Sequence, residues 1–189
     1  MRYLVILLLT AAMAWGSGTV VTWFNANQTP YKSWDTPQTN IYYGIQFNRT
    51  STPGYPSQSF YVYAIEAYFE SGSKVSFCLQ PVYSPTRPLN EYKGYSIVTG
   101  KHQYELSTPL LVETARLNIG FKSDTGSIKI RTDNSRDGRQ YMYWDSAGWA
   151  WRSITPSSQP GGDFFIGALV TNNTGVNPTS LGRIKSLYE

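Results

Sequence analysis

Few residues in this chain have types and spacing that could do chemistry. His102 is the one histidine, so any serine or cysteine nucleophile relying on imidazole would have to be activated by this residue. Its neighbours Lys101 and Gln103 place it at a polar turn ahead of a strand, and the expectation is a solvated side chain rather than a base. One histidine and one cysteine, Cys78, cannot complete a tetrahedral zinc site. Hydrolysis of a glycosidic bond needs only two carboxylates, and Glu66 is the first candidate, with Glu70 beside it. Alternation along this segment puts both on the face opposite Tyr61, Tyr63 and Ile65, away from the expected core. No catalytic constellation emerges, and the chain is expected not to be an enzyme.

Binding chemistry has more candidates. Asp133-Asn134-Ser135-Arg136-Asp137-Gly138 places oxygen ligands at the first, third and fifth positions and glycine at the sixth, as a calcium loop opens. Trp144 stands where the bidentate glutamate of such a loop belongs, Asp145 comes one place late, and Arg136 opposes a cation. A polar hairpin turn is the plain reading; calcium held by Asp133, Ser135 and Asp137 is the alternative, and no other cofactor is expected. Trp144, Trp149 and Trp151, with Tyr141 and Tyr143, form the densest aromatic cluster, which would stack sugar rings if it faced outward and would serve packing if it faced inward. Cys78 shares a strand face with Lys74, Ser76 and Gln80, where it either pairs between subunits or lies inert under a second layer. The second is favoured, because a free cysteine is usually buried. Asn27, Asn48 and Asn172 head Asn-x-Ser/Thr sequons and are candidate glycan acceptors.

The elements that would position these residues are strands. Period-two alternation predicts that Ile41, Tyr43, Ile45 and Phe47 share one face, as do Tyr61, Tyr63, Ile65, Ala67 and Phe69. Ser71-Gly72-Ser73 reads as a tight turn joining the second set to Val75, Phe77 and Leu79, so 61–80 is expected to be a hairpin. Further alternating runs follow at 94–98, 116–121 and 128–131. Residues 164–170 are apolar on both faces, as a central strand requires. Turn clusters at 52–56, 84–88, 133–138 and 155–162 punctuate these runs. The fold class is all-β, a jelly-roll-like antiparallel sandwich of about ten strands.

Residues 1–14 carry one positive residue, a short apolar run and Ala12-Met13-Ala14, the pattern of a cleaved signal peptide ending near Trp15. The run is too short to span a bilayer, so the mature form is expected to have no membrane span and to be secreted, extracellular or at the cell surface. Residues 15–189 then form a single sandwich domain, with a polar tail over 171–189. One cysteine excludes an internal disulfide. A net charge of +4 without a basic run gives no reason to expect nucleic acid.

From Leu106 onward the chain resembles a β-sandwich module of secreted bacterial and archaeal proteins. The resemblance rests on Leu106-Ser107-Thr108-Pro109-Leu110-Leu111-Val112, Asn118-Ile119-Gly120-Phe121, Tyr141-Met142-Tyr143-Trp144 with Trp149, and Gly162-Asp163-Phe164-Phe165-Ile166-Gly167-Ala168-Leu169-Val170. Such modules are accessory, surface-associated and non-catalytic. A sandwich that makes up nearly the whole mature chain is similar to the jelly-roll subunits of extracellular filaments, in which a terminal strand completes the sheet of the next subunit. The resemblance implies a structural or adhesive subunit that self-associates by strand complementation. The donor would be Gly18 to Phe24, with Val20, Val21, Trp23 and Phe24 as assembly residues, although the same segment also reads as an ordinary first strand. A carbohydrate-binding sandwich with polysaccharide as partner is the alternative. A jelly-roll glycoside hydrolase is weaker, since such enzymes carry their glutamates inward among tyrosines.

Overall fold

The computed structural model of the chain describes residues 19–22, 32–82, 89–133, 139–145, 150–154 and 162–172. Every regular element among them is a strand, in keeping with the β-branched and aromatic residues that fill these segments. In chain order these are β1 (Thr19–Thr22), β2 (Lys32–Asp35), β3 (Tyr43–Asn48), β4 (Phe60–Ser71), β5 (Lys74–Pro81), β6 (Asn90–Ser96), β7 (Gly100–Val112), β8 (Arg116–Ser123), β9 (Lys129–Thr132), β10 (Arg139–Asp145), β11 (Ala150–Ser153) and β12 (Ile166–Asn172). Among the described residues no helix is long and apolar enough to cross a membrane. The signal segment 1–14 and the tail beyond Asn172 lie outside the described residues.

All pairings are antiparallel, and they define two sheets. One edge of β4 is taken by β7, which meets Phe69 at Gly100. The other edge is shared end to end by β12, opposite Phe60 to Ala67, and β9, whose Ile130 meets Phe69. Outside these lie β1 on β12 and β2 on β9. Thus β9 and β12 are two halves of one strand position, and β1 and β2 are two halves of another. The second sheet runs β11-β10-β3-β8-β5-β6. Counting each split position once along the chain, the first sheet reads 1-8-3-6 and the second 2-7-4-5, which is the strand order of a jelly roll. The β10–β11 hairpin is inserted into the last position and extends the second sheet beyond β3.

The two inner faces bury one continuous core that includes Phe60, Val62, Ile65, Ala67 and Phe69 from β4, Val75, Phe77 and Leu79 from β5, and Leu117, Ile119 and Phe121 from β8. Phe121 meets Phe164 edge to face at 5.2 Å, and Trp34 meets Tyr43 in the same way at 5.1 Å, the geometry that ring quadrupoles prefer. Predicted inward faces on β3, β5 and β8 agree with this core, and β12 lies between β1 and β4 as a mid-sheet strand.

Two expectations are corrected. Residues 61–80 do not form a hairpin: β4 belongs to the first sheet and β5 to the second, so Ser71 to Ser73 is a corner between layers. Gly72 turns it at φ 137°, where an added Cβ would sit 2.6 Å from Ile97 Cδ1. The inward set on β4 also differs. Its pairing with β12 shifts between Val62 and Ala64, leaving Tyr63 as a bulge, and one extra residue exchanges the faces beyond it. Phe60 and Val62 therefore point inward on one side of the bulge and Ile65, Ala67 and Phe69 on the other, while Tyr61 and Tyr63 are only half-buried.

Candidate functional site

The outward face of the second sheet carries the most organised set of polar side chains. Register places Gln46, Asn118 and Gln80 side by side on β3, β8 and β5. Gln46 Nε2 donates to Asn118 Oδ1 at 3.0 Å, and Asn118 Nδ2 donates to Gln80 Oε1 at 3.2 Å. The indole Nε1 of Trp151 donates to the same Gln80 oxygen at 2.8 Å. Gln80 and Asn118 are only 2% and 3% exposed although they point away from the core. Burial of that kind is tolerated because the amides satisfy one another.

The next row is made of small residues. Gly44 lies opposite Gly120, and Gly120 opposite Cys78. A Cβ on Gly120 would meet Cys78 Sγ at 2.6 Å and Trp151 Cη2 at 2.7 Å. The indole thus lies directly on the sheet, where only glycine leaves room. β10 holds the hairpin against β3 through Met142 opposite Gly44 and Tyr143 opposite Tyr43, and Trp144 N donates to Tyr42 O at 2.8 Å. Trp144 and Trp151, paired across the hairpin, meet at 5.6 Å with a 65° interplanar angle, and both keep part of their surface open. Asp145 and Arg152 form an ion pair at 3.4 Å.

Beyond the glycine row, Tyr42 donates its hydroxyl to Glu91 Oε1 at 2.9 Å, and Lys122 Nζ sits 4.9 Å from the Tyr42 ring centroid. Burial raises the Tyr42 phenol above its ordinary value, with the charges of Cys78 and Glu91 adding to the effect. Burial also raises the Cys78 thiol, helped by Glu91. A thiol held protonated in a covered site is a poor nucleophile, so Cys78 behaves as the small buried hydrophobe that the second-layer reading anticipates.

The predicted site residues separate on the fold. Of the aromatic cluster, Trp144 and Trp151 come together; Tyr141 and Tyr143 have backbone places on β10, and Trp149 lies outside the described residues. Asp133 is fully buried and its Oδ1 accepts the Asp163 amide at 2.8 Å, while Ser135 and Asp137 lie outside the described residues. Among the described residues no three His, Cys, Asp or Glu side chains gather as metal ligands would. Val20 and Val21 pair with Leu169 and Ala168 of the same chain; Trp23 and Phe24 lie outside the described residues, as does Asn27. Asn172 stands opposite Phe60 at the end of β12. Asn48 is buried, and its Oδ1 accepts from Thr50 N at 3.2 Å and Ser51 N at 3.0 Å, which commits it to the turn after β3.

Glu66 is buried on the outward face of the first sheet. Lys101 Nζ lies 2.9 Å from its Oε1 but off the hydrogen-bonding direction, so the pair is ionic. Glu70 is held elsewhere, by the Ser33 hydroxyl and by Arg131 at 3.4 Å. The two carboxylates are thus engaged by different partners, Glu66 by Lys101 and Glu70 by Ser33 and Arg131. His102 is not at a turn: it is an exposed residue within β7, 5.0 Å from the Tyr104 ring. The residues missed by sequence reasoning are Gln46, Asn118 and Gln80. Their signal was present as amides at matching alternate positions of three strands, but it becomes visible only once the strands are placed side by side.

Comparison with protein-family models, with curated proteins and with solved structures found no match.

Proposed function

We propose that this chain is a non-catalytic extracellular structural and adhesive protein that self-associates by strand complementation, with β1 as the strand supplied to a neighbouring copy. One observation carries the reading. Edge strands are normally protected against pairing by charge, proline or bulges, and the other described edges follow that rule. β7 contains Lys101, Glu105 and Pro109, β6 contains Glu91 and Lys93, β2 contains Lys32 and Asp35, and β11 contains Arg152. β1 reads Thr-Val-Val-Thr, four β-branched residues with neither charge nor proline.

Its attachment also suits exchange. β1 pairs with β12 over only four residues, and its Val21 belongs to the core cluster. Residues 23–31 separate it from β2, a length of chain that can reach about 30 Å when extended. A second copy's β1 would make the same ladder on β12, so exchange conserves the contacts and adds only the entropy of association.

Val20 stands opposite Leu169 in the register of the pair, and Cα atoms of opposed antiparallel residues lie roughly 4.5–5.5 Å apart, a span that a disulfide can bridge. The variant Val20→Cys/Leu169→Cys, in a Cys78→Ser background, is expected to give a ladder of covalent oligomers on a non-reducing gel after mild oxidation. Negative-stain microscopy of the uncrosslinked protein should show linear assemblies. Closure of the disulfide within single chains only, at every protein concentration, would refute the reading.

A further inference from the structure

The Gln46, Asn118, Gln80 and Trp151 relay crosses β3, β8, β5 and β11, and it ends on a ring that remains partly exposed. Packing alone does not call for this arrangement. An aliphatic side chain at position 80 would seat an indole equally well, without burying the Gln80 and Asn118 amides, whose desolvation must be offset bond by bond. A hydrogen-bonded chain of this kind fixes orientation: the Gln80 oxygen holds the plane of Trp151 by its Nε1–H, and Asn118 and Gln46 hold Gln80. Fixing the plane of a ring that stays open to its surroundings is what a recognition surface requires, because a ring locked in its bound orientation loses little freedom when a ligand arrives.

We propose that Trp144 and Trp151 form a stacking shelf for an uncharged polysaccharide, with Gln80 as the positioning residue that sets the Trp151 ring. The ligand class follows from the chemistry of the shelf. Its floor and support are two indoles, amides, the Gly44–Gly120 pair and a protonated thiol, none of which bears a formal charge. Of the ionised groups described around it, Asp145 pairs with Arg152 and Glu91 with Lys93 at 2.9 Å, and Lys122 sits over the Tyr42 ring, 4.9 Å from its centroid. Such a surface offers π faces to the C–H faces of a pyranose ring, and among the described residues its floor holds no charged group that would select a sulfate or uronate. Gly120 is part of the device, since any side chain there would lift the ring from the sheet. The inference is independent of strand exchange, because it uses the second sheet and β1 lies on the first.

Affinity electrophoresis of the intact chain through gels containing xylan, mixed-linkage glucan, mannan or galactomannan tests it, with tryptophan fluorescence titration giving the dissociation constant. At least one of these neutral polymers should retard the protein. Trp144→Ala should weaken binding about tenfold or more, the loss expected for a stacking contact of ~1.4 kcal/mol. Gln80→Leu keeps a side chain of similar length but removes the acceptor shared by Asn118 and Trp151, and should weaken binding several-fold while also lowering the unfolding midpoint, because a buried amide donor is left unsatisfied. In a Trp151→Phe background, which lacks the Nε1 donor, Gln80→Leu should have no further effect on affinity; a support role confined to stability would leave affinity unmoved in both backgrounds. Absence of retardation by every neutral polymer, retardation by acidic polymers alone, or full affinity in Trp144→Ala would overturn the proposal.

Discussion

Gly120→Ala tests whether the indole rests on the sheet as described. The new Cβ would stand 2.6 Å from Cys78 Sγ and 2.7 Å from Trp151 Cη2, about 1 Å inside ordinary contact. Cys78 is fully buried on β5, a strand flanked by β8 and β6, so it has little room to retreat. Trp151 stands on the edge strand β11 and has more. The indole should therefore rise by about 1 Å, and its 2.8 Å bond to Gln80 would stretch beyond hydrogen-bonding range. Overpacking of this kind costs roughly 1–3 kcal/mol and the lost bond about 1 kcal/mol. Replacing a strand glycine recovers roughly 0.5–1 kcal/mol. The net loss is roughly 1–3.5 kcal/mol, or some 2–14 °C in Tm for a domain of this size.

Urea unfolding in two backgrounds separates this from a general intolerance of strand β8. With Trp151→Ala already present one of the two clashes is gone, so the penalty for Gly120→Ala should fall by about half, a coupling of roughly 0.5–2 kcal/mol between directly touching residues. Tryptophan emission in the single variant should shift to the red as the ring becomes more hydrated. An equal penalty in both backgrounds, or a penalty below about 0.5 kcal/mol, would refute the packing argument.

Three further outcomes are expected. Burial raises the phenols of Tyr42, Tyr43, Tyr63, Tyr92, Tyr95 and Tyr104, and the Cys78 thiol, above their ordinary values. Groups raised on folding contribute stability that is intact below their unfolded pKa and lost as pH climbs through the folded one, so urea midpoints should hold steady to about pH 8.5 and fall increasingly above pH 10; absorbance at 295 nm should show these rings ionising together with unfolding, and their free titration in the folded state would contradict their burial. Asn48→Ala removes the acceptor for two main-chain amides in the turn after β3 and should cost about 1–2 kcal/mol, while peptide mapping after expression in a glycosylating host should find Asn48 unmodified. Val21→Asp should destabilise the first sheet and abolish linear assemblies, whereas Lys93→Ala on the charged β6 edge should leave assembly unchanged; assembly by Val21→Asp would remove β1 from the mechanism.

The strand inventory was legible wherever one face is apolar and the other polar. Leu117, Ile119 and Phe121 against Arg116, Asn118 and Gly120 leave no second register, and β8 faces as its pattern predicts. β4 defeats the same method for a physical reason. In Phe60-Tyr61-Val62-Tyr63-Ala64-Ile65 either parity is apolar, so alternation cannot detect a one-residue bulge, and the bulge at Tyr63 decides which tyrosines leave the core. The turn after β4 was misread because Ser71-Gly72-Ser73 specifies a reversal of direction without specifying whether the returning strand pairs with β4 or crosses to the other layer; that choice is made by contacts across the core such as Phe69 with Phe77, whose rings meet at a tilt with centroids 6.3 Å apart. The outward site was least legible of all. Trp144 and Trp151 attract notice as aromatics, but what fixes Trp151 is a glutamine 71 positions away, supported by an asparagine and a second glutamine from two other strands. Each amide alone reads as an ordinary solvent-facing residue of a half-buried strand. Their role arises from register, which places them in one row, and from an inserted hairpin that returns across the sheet to close over them.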